Sequence, residues 1–366
     1  MSRLNGGPAR KIICVSIVLT LTVFAQAMAS QSAGVAESAY ELRMKGKLDD
    51  ARKMLEEALV KDPDYAAGHY ELARLTLHMG LGNPREMSSL LPKAQESIDL
   101  AMEKDPTEVA YPFFAGHVRF MLAYMAMQQG GPDVAAKVAS SCSAFEAALR
   151  LKPDYREAKL HLVELYADAP EGGDRSKAEA YTSELEKEDE VFGVKARSIL
   201  EDVGVADWKL LRDKYPGDTD VIEELGKAYL NKGNVIETGK CFEEAIRIDP
   251  KTAFLFMDLG RYHVFGAIQA MQSDDKEVLQ MHLSAAEIAI RRYLEFEQSA
   301  PMKAYALEML AKVKRGAGDQ EEKERLRKEA QALDPHHSKA TGSPGLVLFM
   351  SPGTILQDHR YLARPY

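Results

Sequence analysis

The chain is poor in the residues that cross-link small exported domains or mark common active sites. Its 366 residues hold three cysteines and one tryptophan. Two of the cysteines, Cys142 and Cys241, stand 99 residues apart, and a disulfide needs Cα atoms within about 7 Å, so two buried thiols are expected. No Asn-x-Ser/Thr acceptor occurs, which fits a bacterial periplasm better than a eukaryotic secretory route. Glycine and proline are scattered in ones and twos and never form a linker, so one continuous structure is expected. The chain also lacks His-Glu-x-x-His, Gly-x-Ser-x-Gly, a phosphate-binding glycine loop and Cys-x-x-Cys.

The only long uncharged apolar run, Ile12 to Phe24, follows Arg3, Arg10 and Lys11 and precedes Ala27-Met28-Ala29. This is the layout of a secretory signal peptide over residues 1–29, too short to cross a bilayer, which takes ~20 apolar residues. Cys14 lies at the start of that run, so it does not form a lipid-attachment signal. Without the leader, 44 Lys plus Arg face 56 Asp plus Glu, a net charge of −12. Such a chain, with no clustered basic face, is not expected to bind nucleic acid or an anionic membrane surface.

Prolines recur where helical patterns end: Pro63, Pro106, Pro153, Pro216, Pro250, Pro301 and Pro335. Their spacings are 43, 47, 63, 34, 51 and 34, so 34 appears twice unmodified and 63 is five short of two periods. From Thr219 the unit reads Leu225-Gly226, Tyr229, Gly233, Phe242, Ala245 and Pro250, with Thr238 where an alanine is expected. The first unit has Ala39, Leu42, Gly46, Ala51, Leu55, Ala58 and Pro63 in these places, and the last has Leu310-Ala311, Gly318, Ala330 and Pro335. This pattern resembles the tetratricopeptide repeat.

The resemblance implies an all-α fold: a right-handed superhelical solenoid of antiparallel helix pairs, about eight units over residues 30–337. Gly46, Gly80, Gly233 and Gly318 are the expected turns within units, and each proline is expected to end the second helix of a pair. Excess residues in three units predict lengthened helices, and residues 168–208, lacking the proline, predict a break in the pitch. Residues 338–366 form a non-repeat tail whose apolar stretch 346–350 is expected to dock on the solenoid or in a groove.

In such solenoids the first helix of each unit lines the concave face. Carrying those positions over selects Tyr40, Arg43, Tyr70, Arg74, His78, Phe113, His117, Phe120, Met257 and Arg261 as a partner-binding groove. The middle units contribute Glu157, Glu164, Asp168, Asp220, Glu223, Lys227 and Asn231, an acidic stretch. An alternative fate for Phe113 and Phe120 is the core between units. The lone pair His161 and Glu164, and His336-His337, are not read as metal ligands. No metal, cofactor or catalytic activity is expected. The expected function is an exported, periplasmic or secreted scaffold holding a peptide or partner protein in its groove. The alternative is an accessory of a solute transporter, handling a small molecule or lipid in an apolar cavity.

Overall fold

The computed structural model describes residues 34–82, 86–168 and 172–336. The expected leader and the tail with its apolar stretch lie outside the described residues.

Among the described residues there are sixteen α-helices and no strand. In chain order they are α1 (Val35–Met44), α2 (Leu48–Lys61), α3 (Ala66–Gly82), α4 (Met87–Lys104), α5 (Ala110–Gln128) and α6 (Val134–Leu151). Then come α7 (Arg156–Asp168), α8 (Arg175–Glu188), α9 (Glu190–Leu200), α10 (Val205–Lys214), α11 (Thr219–Asn231) and α12 (Val235–Ile248). A 3₁₀ turn over Pro250–Ala253 leads to α13 (Phe254–Gln272), α14 (Lys276–Phe296), α15 (Ala300–Gly316) and α16 (Gln320–Leu333). Helices pack mainly on their chain neighbours, α9–α10 and α12–α13 excepted, the signature of a solenoid of helix pairs.

Local chemistry sets the boundaries. Gly46, Gly233 and Gly318 take φ of +75°, +74° and +84°, which lets one helix stop and the next fold back. Asp174, Asp189, Asp218, Asn234, Asp275, Ser299 and Asp319 cap the helices that follow them by accepting backbone N–H bonds. Pro63, Pro106, Pro153, Pro216, Pro250 and Pro335 each sit just past a helix end. Two expectations are corrected. Gly80 lies inside α3, where a side chain would strike the Met87 sulfur at 2.8 Å, so its smallness serves packing. Pro301 starts α15 instead of ending a helix, at a position where a missing N–H costs nothing.

In the pairs begun by α3, α5 and α15 the first helix is buried over most of its surface, and in outer helices such as α2 and α16 burial is confined to a stripe. Every residue of α5 from Ala110 to Val118 is buried, whereas α2 buries only Leu48, Ala51 and Leu55, and α16 only Leu326 and Ala330. The seam within a pair is built on glycine. A methyl group at Gly226 or Gly116 would lie 2.6 Å from the ring of Phe242 or Phe145, so only glycine admits the ring. A hydroxyl completes both seams: Thr238 donates to the Gly226 carbonyl at 3.1 Å and Ser141 to the Gly116 carbonyl at 2.8 Å. Thr238, the departure from the repeat pattern, thereby satisfies a carbonyl in the seam.

Regular pairing lapses in the middle. α9 packs on α7 and α8, α10 packs on α11, and α9 and α10 scarcely touch. Asp189 serves as the end of α8 and the cap of α9, its Oδ1 accepting from Val191 and Phe192 N–H at 2.9 and 3.0 Å. Gly193 lets α9 lie against the α8 backbone, since a Cβ there would be 2.6 Å from Glu186 Cα.

The last unit returns onto the first. α15 packs on α1 and α3. His336 Nε2 lies 2.9 Å from Asp49 Oδ2, and a methyl group at Gly46 would be 1.9 Å from the Leu333 carbonyl oxygen and 3.3 Å from Ala300 Cβ. Gly46→Ala should therefore lower stability by about 2 kcal/mol or more, through overlap plus left-handed strain. Gly233→Ala, with the same φ but open space around it, should lose only the strain, about 1 kcal/mol. Urea unfolding of the two variants checks this order.

Candidate functional site

The residues expected to form the N-terminal half of the groove make a buried, cross-linked cluster between α1 and α3. Arg43 Nε donates to Glu71 Oε1 at 2.5 Å and Arg43 Nη2 to Glu71 Oε2 at 3.4 Å, the two-pronged geometry that guanidinium and carboxylate share. Arg74 Nη1 lies 3.9 Å from Glu71 Oε2, and both guanidinium groups sit over the Tyr40 ring, at 5.1 and 5.9 Å. Arg74 also lies 5.5 Å from the Tyr70 ring. His78 Nδ1 is 3.3 Å from Arg43 Nη1; a guanidinium only donates, so the imidazole accepts there and keeps its proton on Nε2. Burial, then the Arg43 and Arg74 charges, hold His78 well below the usual histidine range, so it stays neutral. α15 packs on the two helices that carry this cluster.

Phe113 and His117 belong to an aromatic core between α5, α6 and α7. Phe113 stands 4.6 Å from Tyr155 and 5.6 Å from Phe145, and His117 stands 5.2 Å from Phe145 and 4.7 Å from His161. Phe120 is half-buried against the same core. On α13, Met257 and Arg261 are buried, and Arg261 Nη1 donates to Asp258 Oδ1 at 2.9 Å. Of the ten expected groove residues, Tyr40 and Phe120 are half-buried and the other eight are no more than 5% exposed.

A different stretch of inner helices stays accessible. Glu157, His161 and Glu164 on α7, Lys195 on α9, and Asp220, Glu223, Glu224 and Lys227 on α11 form a polar arc in which Glu223 is buried and the others keep partial exposure. Lys195 Nζ binds Asp220 at 2.9 Å and lies 3.6 Å from Glu224, tying α9 to α11. Lys227 Nζ binds Glu223 at 2.7 Å and Glu224 at 3.0 Å, while His161 Nδ1 meets Glu164 at 2.9 Å. The Glu164 and Lys227 side chains are 49% and 45% exposed, so water reaches this part of the arc. Burial raises the Lys227 desolvation cost, but Glu223 and Glu224 outweigh it and keep the ammonium charged. Lys195 is missing from the sequence-based selection because its unit has no proline to set the register. Its signal was Gly193, which marks the close approach of α9.

No protein-family model matches the sequence, and no curated protein matches it. Among solved structures it is similar to MamA, at 20% identity and a TM-score of 0.29, over 58% of this chain and 95% of that one. It is similar to YrrB, described as a TPR protein with an unusual peptide-binding site, at 15% identity and 0.29, over 59% and 85%. A tetratricopeptide repeat protein from Parabacteroides merdae ATCC 43184 gives 13% identity and 0.34, over 83% and 93%. At these values the superpositions bear on neither the overall shape nor the activity. The helix pairs, turn glycines and seams of this chain define the class: it is an all-α solenoid of tetratricopeptide type. No described helix is long and apolar enough to cross a membrane.

Burial pushes the Glu157 carboxyl up to about 7 from 4.5. The folded state therefore holds a proton that the unfolded state releases between pH 4.5 and 7, so stability falls as pH rises through that window and the loss is complete above it. Glu157→Gln should remove this fall and stabilise the protein by about 1–3 kcal/mol at pH 8 while changing little at pH 4. Urea unfolding across that pH range measures it.

Proposed function

We propose that the chain is a non-catalytic protein-interaction scaffold, exported to the periplasm or secreted, that holds a peptide or a segment of a partner protein on its inner face. The observation that carries this reading is the accessible polar arc of α7, α9 and α11, whose ion pairs fix charged side chains across successive units. A surface already ordered before binding loses little side-chain entropy when a partner arrives. Four carboxylates (Glu164, Asp220, Glu223, Glu224), beside the Glu157 carboxyl that titrates at about 7, face two ammonium groups (Lys195, Lys227), so the arc selects segments bearing Lys or Arg. The expected groove residues of the first three units and α13, from Tyr40 to Arg261, support this arc as its structural frame, with Tyr40 and Phe120 the members that retain exposure.

The transport-accessory reading gains from the return of the last unit onto the first. The charged lining of the accessible arc, however, suits a polar segment better than an acyl chain.

Fluorescence anisotropy with paired synthetic peptides, identical except for Lys or Glu at two positions, tests the proposal. The Lys peptides should bind more tightly, weaken with salt, and lose about tenfold or more when Glu164→Lys and Glu224→Lys are combined. Binding that ignores both the peptide's charge and these substitutions removes the arc as the site.

A further inference from the structure

The long hairpin of α13 and α14 carries a pair of histidines that the partner-binding arc does not use. His263 on α13 is 2% exposed, and His282 on α14 is half-buried beside it. Their Nδ1 atoms are 3.0 Å apart, with ring centroids at 5.2 Å. The His282 ring lies in a notch at Gly266: a Cβ there would sit 2.4 Å from His282 Cε1 and 2.6 Å from Nε2. Glycine in a helix interior costs about 1 kcal/mol relative to alanine, so helix stability is given up to seat this imidazole. The buried His263 Nε2 has no hydrogen-bond partner.

Two nitrogens bound to one metal ion at about 2.0–2.1 Å lie roughly 3.3 Å apart in a tetrahedral site, and about 2.9 Å apart when they are cis in a square-planar one. The observed 3.0 Å, held here by a hydrogen bond between the two rings, lies within reach of either spacing, and Cu²⁺ stands highest in the affinity order of divalent metals for nitrogen ligands. We propose that His263 Nδ1 and His282 Nδ1 form a two-imidazole site for a square-planar divalent transition metal ion, Cu²⁺ above all, with solvent filling the remaining positions. Among the described residues no group of three or more His, Cys, Asp or Glu is placed to hold a metal, so the protein supplies two ligands.

Both imidazoles must be neutral to bind. Without metal, one ring carries its proton on Nδ1 and donates it to the other. With half-buried His282 as the donor ring, metal binding displaces the proton from its Nδ1 and solvent returns it to Nε2 of the same ring. His263 Nε2 then carries a buried proton with no acceptor, which holds the affinity below that of a site whose outer nitrogens are both hydrogen-bonded. The exposed Tyr262 ring, 5.2 Å from His263 and 6.4 Å from His282, flanks the pair.

The test is Cu²⁺ titration of the full chain in a weakly coordinating buffer, followed by calorimetry and electron paramagnetic resonance. Wild type is compared with His282→Gln, His263→Gln and, as a control, His336→Gln. The expected result is one Cu²⁺ species with hyperfine structure from two imidazole nitrogens, lost in both hairpin variants with affinity falling by about tenfold or more, and kept in the control. The proposal is overturned if the two-nitrogen species persists in His282→Gln, or if wild type binds Cu²⁺ no more tightly than that variant. His282 is the half-buried partner, so its variant decides the question should His263→Gln fail to fold.

Discussion

An inner helix with no polar face has to be covered on every side, and the rest of the structure depends on how that cover is supplied. Within the solenoid, each inner helix is covered by its own partner and by the units before and after it. A terminal unit lacks one neighbour and would normally present a polar cap. α15 does not: from Pro301 to Val313 all but Lys303 and Lys312 are buried. Its cover comes from α14 and α16 and, across the whole length of the chain, from α1 and α3. The solenoid thus uses its first unit to complete its last one.

That return also sorts the inner face into two parts. Near α1 and α3 the charged groups are paired with one another out of water, as in Arg43 with Glu71. Breaking such a buried pair from one side costs about 3–5 kcal/mol, so these residues serve cohesion. Further round, where α9 leaves its partner α10 and packs on α7 and α8, the inner helices keep charged side chains that water reaches, Glu164 and Lys227 among them. The lapse in regular pairing and the accessible polar arc therefore occupy the same stretch of chain.

The fold was legible because its determinants are local. Gly46, Gly233 and Gly318 announce turns, and Asp-Pro pairs announce helix ends, through backbone chemistry that needs no tertiary context. Gly80 misled because glycine has two uses: here it opens room for the Met87 sulfur within a helix instead of reversing the chain. The return of the last unit was not legible, since it sums small rotations over the whole solenoid and rests on contacts such as Asp49 with His336, 287 residues apart. For the same reason the carried-over positions located Arg43, Arg74 and His78 on inner helices but could not foresee that α15 packs on those helices. Lys195 escaped because its unit lacks the proline that sets the count.

The central claim, that the last unit covers its inner helix with the first, is tested most directly by a distance between those units in solution. Spin labels at Lys53→Cys and Gln331→Cys, both exposed, report it by double electron–electron resonance, with a Lys53→Cys and Glu186→Cys pair as the comparison across the solenoid. The account predicts a single narrow distribution for the first pair, shorter than that of the second. A broad distribution, or one longer than the comparison, would contradict it.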